Sequence, residues 1–395
     1  MNKVIESLKP YPMEELNRIK NQLIQKNIPI YDFGTGDPKE PTPEFIRKAL
    51  IEAVPEVSQY PSVAGRKDFR MAVADYLKRR FNVQLDPETQ IIPSNGSKEA
   101  IFHFPLVFID PEEEKNYVIF GTPAYPVYER GTLFANGNVY PVKLKEEDKF
   151  LLRLDKVPQE ILKKTKIVWI NYPHNPTGAT ADKEYLKDIY QICKENDIIL
   201  CSDECYAEIY FEEKDRPPSI LEIGEDNVVA FHSLSKRSGM TGYRTGFVAG
   251  DEKIIQKYKK YRASFGVATP DFIQQAAKAA WSDDKHVKER NNIFKQKRNL
   301  FIDFFNRIGL EYLYPKATFY FWIKSPKNIP VKEYVKALLK NGIITSPGEN
   351  FCAGTQISEN KCESEYFRIA LVPTLEDCKK AIEIWEKVHK SLVGA

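Results

Sequence analysis

Lys236 lies in the run Ser233-Leu234-Ser235-Lys236, directly after the apolar stretch VVAFHS, with Arg244 eight residues further on in GYRTGF. A lysine attacks a carbonyl only as the neutral amine, so covalent chemistry at Lys236 calls for cationic surroundings or an electrophile held beside it. Arg244 supplies a cation, and its fixed guanidinium fork also suits a phosphate dianion, to which Ser233 and Ser235 add hydroxyl donors. Asp203 stands next to last in IILCSDE, at the end of its apolar run. A buried carboxylate there can hold a proton on a ring nitrogen, and the ring then drains electrons from a substrate carbon. In IIPSNGSKEA, Gly96, Ser97 and Lys98 put free backbone N–H groups at a helix start, where the dipole favours an anion. Each residue also has a plainer reading: a surface lysine, a cap or ion-pair partner, an ordinary helix start. Position favours the chemical one.

The runs YVIFG (117–121), KIVWIN (166–171), IILCSDE (198–204), VVAFHS (228–233) and TGFVAG (245–250) alternate with helical patterns such as DKEYLKDIYQICKEN, which starts on a predicted Asp182 cap. This alternation predicts βαβ units and an α/β fold, with a mostly parallel central sheet and helices on both faces. Open sheets of this kind bind ligands outside the carboxyl ends of their strands. Asp203, Lys236, Asn175 (in NYPHNPTG) and Gly96–Lys98 all fall at such ends. After about residue 285 a long charged helix, Asp284 to near Arg307, leads into TFYFWIK, YFRIAL and a closing helix, a smaller α/β unit. The division is an arm over residues 1–45, a large domain over 46–284 and a small domain over 285–395. The arm, through DFGTGDP and a short helix from Pro43, is expected to pack on the small unit.

Across 395 residues, 58 Lys plus Arg against 55 Asp plus Glu leave a net charge of only +3, which gives no footing for nucleic acid. The amino-terminal residues lack a signal-peptide core, and no run reaches the roughly 20 apolar residues of a membrane span. A soluble, cytoplasmic protein is expected. The 6 Cys fall at irregular spacings with no Cys-x-x-Cys pair, and all are read as reduced; the 5 His form no ligand-spaced cluster, so no metal is expected.

Taken together, NGSKEA, PAYPVY, NYPHNPTG, SDECY, SLSK, GYRTGF and YFRIALV resemble the class I and II aminotransferases of the fold type I pyridoxal-phosphate enzymes, in the same order and over essentially the whole chain. The resemblance implies pyridoxal 5′-phosphate as cofactor, with Lys236 forming the Schiff base and then serving as acid and base. It implies that Asp203 pairs with the pyridinium nitrogen, that Asn175 and Tyr206 bond the 3′-oxygen and that Tyr125 stacks on the ring. Gly96, Ser97, Lys98, Ser233, Ser235 and Arg244 would hold the phosphate, joined by Tyr60 of the partner subunit in a homodimer. Arg368 would clamp the substrate α-carboxylate, with Asn175 and Gly36 beside it.

Within that family the chain resembles most the succinyl-diaminopimelate aminotransferases of lysine synthesis, through KPYPMEEL, SKRSGMTGYRTGFVAGD, DECYAEIYFEE and ASFGVATP. The expected reaction takes an amino group from N-succinyl-LL-2,6-diaminopimelate to 2-oxoglutarate in a ping-pong cycle. Lys98 would read a distal carboxylate. Aspartate, LL-diaminopimelate or alanine are the alternative donors. A β-eliminating lyase keeps the same lysine and aspartate. A ligand-sensing regulator is disfavoured, because the chain before Gly34 is too short for a DNA-binding module.

Overall fold

In the computed structural model, residues 3–8, 12–353 and 364–394 are described. The strands are β1 Tyr31–Asp32, β2 Ile91–Ser94, β3 Tyr117–Thr122, β4 Asn138–Lys143, β5 Thr165–Ile170, β6 Ile199–Asp203, β7 Val228–Ser233, β8 Gly246–Gly250, β9 Tyr320–Lys324, β10 Ile343–Ile344, β11 Ser346–Pro347 and β12 Tyr366–Ala370. A seven-stranded sheet runs in the order β2-β8-β7-β6-β5-β3-β4. β3 to β7 pair in parallel, and β8 is antiparallel to both of its neighbours.

The reversed direction of β8, which the sequence reading did not separate from the parallel strands, has a functional result. Gly246, the first residue of β8, pairs with Ser233 and Ser94, the last residues of β7 and β2. Arg244 therefore enters the same edge of the sheet that Lys236 and Ser97 leave from. In a parallel strand the two-residue lead into the sheet would have put Arg244 at the opposite edge.

Both faces of this sheet are covered, so its strands read as nearly unbroken apolar runs. In β7 Val228 and Ala230 enter one core with Ile170, Leu200 and Trp281, while Val229 and Phe231 enter another with Val118, Trp169 and Val248. Asp182 caps helix Lys183–Glu195 by accepting from Tyr185 N at 2.9 Å, as its position predicts. Helix Lys285–Ile308 is the long charged helix; its Phe301, Phe304 and Phe305 join Phe321, Ile323 and Trp385 in a separate core. Above that core lies the antiparallel sheet β11-β12-β9.

β1 pairs in parallel with β10, and Ala370 N donates to Phe33 O at 2.8 Å, so the segment before Gly34 does pack on the carboxyl-terminal unit. Helix Glu44–Glu52, which was expected there too, packs instead on helix Asp271–Trp281 of the large unit. Its fully buried Ile46 finds apolar cover with Ala276 and Ala277. A second correction concerns the cysteines. Cys193, Cys201, Cys205 and Cys378 are free, but Cys352 is disulfide-bonded. Spacing along a chain does not reveal which sulfurs meet in space, so the reduced reading fails at Cys352. Cys362 and residues 9–11 of KPYPMEEL lie outside the described residues. No helix among the described residues is long and apolar enough to cross a membrane.

Candidate active site

A cavity of about 510 Å³ opens at the carboxyl edge of the seven-stranded sheet. It gathers Ser97, Lys98, Tyr125, Asn175, Asp203, Tyr206, Ser233, Ser235, Lys236 and Arg244 from the large unit, with Gly36 and Arg368 from the other side. Of the predicted residues only Gly96 and Tyr60 do not line it. Gly96 stands directly behind the wall, at φ +79°, where an added Cβ would come within 2.5 Å of Arg244 Nη2. That position needs glycine twice over, for its backbone angle and for the guanidinium lying against it. Tyr60 is fully exposed, and Val54 and Val57 nearby are also exposed in large part.

Lys236 Nζ donates to Gly36 O. Burial holds its ammonium pKa down at about 8, and the Arg368 and Arg244 charges push the same way against Asp37. Asp203 is buried at the end of β6, where it accepts from Tyr128 Oη at 2.7 Å and from Cys205 N at 3.3 Å. Burial raises its carboxyl pKa, and the Cys205 thiol, the Tyr128 hydroxyl and the Cys205 N–H draw it partly back. Asn171 Nδ2 bonds Asp203 O at 2.7 Å while Asn171 Oδ1 accepts from Asn175 N at 2.9 Å, so one amide sets both the strand end and the loop that follows β5.

Arg244 holds a left-handed backbone at φ 53°, with Nη1 on Thr241 O at 2.7 Å. Arg368, in the middle of β12, is buried; Nη1 bonds Asn175 Oδ1 and Nη2 bonds Gly34 O, both at 2.7 Å. Its Nε has no hydrogen-bond partner among the described residues. The side chain lines the cavity, where a guanidinium can meet an anion in a charge-assisted pair. The guanidinium is sandwiched at 4.5 Å over Tyr320 and 4.6 Å over Phe351, which fixes its plane.

Residues 28–384 match the family described as aminotransferase class I and II. The chain belongs to that family. As an aminotransferase of this kind it is a fold type I enzyme and uses pyridoxal 5′-phosphate. An LL-diaminopimelate aminotransferase of Aquifex aeolicus is 38% identical over 385 residues, 96% of each chain. One of Syntrophobacter fumaroxidans is 37% identical over 390 residues, 97% of each. Among solved structures, an aminotransferase from Neisseria meningitidis is 31% identical with a TM-score of 0.88, covering 98% of this chain and 100% of that one.

The donor set of this aminotransferase fits its cofactor. Two serines, a helix start and Arg244 form a phosphate-sized cationic corner; a buried acid ends the next strand, and an amine with a depressed pKa lies between them. Sequence reasoning missed Tyr128, Asn171, Cys205, Tyr320 and Phe351. Tyr128 had a signal, since it sits three residues after Tyr125 in PAYPVY. Tyr320 looks from the sequence like one more core aromatic of a strand.

The Lys236 value sets a pH dependence. Below about 8 the amine is mostly protonated and cannot attack, and above it the neutral form dominates. The rate at which cofactor-free protein captures pyridoxal phosphate is therefore expected to rise about tenfold per pH unit below 8 and then to level off. Stopped-flow absorbance across that range checks it; a rate still climbing toward 10.5, the ordinary lysine value, would show a solvated amine.

Proposed function

We propose that this aminotransferase moves an amino group from LL-diaminopimelate to 2-oxoglutarate in a two-step cycle, as a homodimer. One observation supports the donor: the Aquifex and Syntrophobacter relatives named above bear that name and match over nearly their whole length. The N-succinyl donor expected first from the sequence keeps only the argument from Lys98, whose cation at the cavity wall suits any distal carboxylate. The exposed Val54, Val57 and Tyr60 support a second copy packed on that face.

When bound, pyridoxal 5′-phosphate supplies an electrophilic carbon for the amine and a ring that drains electrons from the substrate α-carbon. Lys236 Nζ would anchor it and would serve as the group that moves the proton between the substrate α-carbon and cofactor C4′. Asp203 keeps a proton on the pyridine nitrogen. Asn175 and Tyr206 would hydrogen-bond its 3′-oxygen, and Tyr125 would cover a face of the ring. Gly96, Ser97, Lys98, Ser233, Ser235 and Arg244 hold the phosphate, with Tyr60 reaching in from the other copy. Arg368 would pair with the substrate α-carboxylate, beside Asn175 and Gly36. Residues 46–284 then act as the cofactor-binding domain, and 285–395 with the arm 1–45 bring Arg368 to it.

The test compares kcat/KM for LL-diaminopimelate, N-succinyl-LL-2,6-diaminopimelate, L-aspartate and L-alanine, each with 2-oxoglutarate. LL-diaminopimelate is expected to lead by about tenfold or more, a difference of about 1.4 kcal/mol. A lead for aspartate or the succinyl donor overturns the donor assignment. Sustained keto acid formation without any acceptor would make the enzyme a lyase.

A further inference from the structure

Tyr320, the first residue of β9, is 2% exposed and touches three parts of the site at once. Its hydroxyl lies 2.8 Å from that of Tyr206, itself buried. The same hydroxyl rests on Gly36, where an added Cβ would come within 2.5 Å of it; Gly36 is the residue whose carbonyl accepts from Lys236. The ring of Tyr320 lies beneath the Arg368 guanidinium at 4.5 Å.

A phenol has one proton to give and lone pairs that accept. In a buried pair of phenols one must donate to the other. If Tyr206 spends its proton on an acceptor in the cavity, its oxygen is left to receive the proton of Tyr320, and a donor that is itself accepting donates more strongly. We infer that Tyr320 is a positioning residue of the transamination site, whose hydroxyl donates to Tyr206 and thereby aims and strengthens the hydrogen bond from Tyr206 to the cofactor 3′-oxygen. This rests on the reading of Tyr206 given above. The contact also ties a strand of the carboxyl-terminal unit to the cofactor side of the cavity, with the ring against Arg368 and the hydroxyl close to Gly36.

The consequence is spectroscopic. A stronger bond to the 3′-oxygen favours its anionic form and so eases loss of the proton from the neighbouring Lys236 nitrogen. Removing the Tyr320 hydroxyl weakens that bond and moves the titration of the cofactor's visible band to higher pH. The experiment titrates this band in holoenzyme of the parent, Tyr206→Phe, Tyr320→Phe and the double variant. Loss of one hydrogen bond corresponds to a shift of up to about one pH unit, so Tyr206→Phe is expected to move the midpoint upward by about that much. Tyr320→Phe is expected to move it the same way by about a third to a half as much, and the double variant no further than Tyr206→Phe, because Tyr320 acts through Tyr206.

The Tyr320→Phe substitution leaves an aromatic ring under Arg368, so KM for the donor is expected to hold; a merely loosened site would raise KM and leave the midpoint alone. A Tyr320→Phe titration that superimposes on the parent while Tyr206→Phe shifts, or shifts that add in the double variant, overturns the inference. If Tyr206→Phe itself leaves the midpoint in place, the reading of Tyr206 falls and the role of Tyr320 falls with it.

Discussion

Replacing Lys236 with alanine is expected to abolish the covalent link to pyridoxal phosphate, so that the variant mixed with cofactor shows only the spectrum of unlinked pyridoxal phosphate. The nearest lysine to take its place in the cavity is Lys98, which is exposed at its wall. Turnover should fall on the order of 10⁴-fold, because one change removes both the nucleophile and the group that moves the α-proton. The variant should still fold. Lys236 lies in the short helix Leu234–Arg237, whose start is capped by Ser233 accepting from Ser235 N, and that cap does not involve the lysine side chain. A lysine-linked visible band that survives in Lys236→Ala would sink the assignment of this residue.

Asp203→Ala is expected to leave that band in place and slow turnover by a few hundred to a few thousandfold. The physical basis is the cost of removing one partner of a buried ion pair, roughly 3 to 5 kcal/mol, felt here in the barrier because the protonated ring nitrogen matters most when the α-carbon carries negative charge. Without a cation opposite, burial pushes the Asp203 carboxyl toward its neutral form, held back by Cys205 and Tyr128. A site that keeps an acid buried against its own solvation is built for a partner that arrives later. Single-turnover kinetics with the donor separate this effect from product release. An unchanged rate would show that Asp203 serves only the fold.

The contrast between these two residues and Tyr320 shows what was legible from the chain and what was not. Asp203 ends β6 and Lys236 follows the end of β7 by three residues; the apolar runs of both strands announce buried parallel strands, and such strands place what ends and follows them at one edge. Ser97 follows β2 by the same logic. Tyr125 and Arg368 were read only through the resemblance of PAYPVY and YFRIALV. The helix from Pro43 was misplaced because its single buried side chain, Ile46, carries no label for which of two cores it will enter.

Tyr128 and Tyr320 belong to a different class of residue. Tyr128 meets Asp203 across 75 positions and Tyr320 meets Tyr206 across 114. Beyond the spacing of Tyr128 from Tyr125 nothing local marks them, since an aromatic in a strand or on a helix face is first of all core. The disulfide at Cys352 and the direction of β8 are of the same kind, being decided by which segments become neighbours.

By itself, then, the sequence determined the alternation of strands and helices and the polar residues at the strand ends, because periodicity and strand polarity are local properties of the chain, while the chemistry of amine exchange was implied by the family resemblance of the assembled motifs. Only the tertiary structure decided that an antiparallel β8 returns Arg244 to the edge of Lys236, that Arg368 stands at the cavity wall bonded to Asn175, and that Tyr320 meets Tyr206 close to Gly36. Those outcomes depend on packing between distant segments, where each side chain's partner is set by the shape of the whole core and not by its neighbours in the chain.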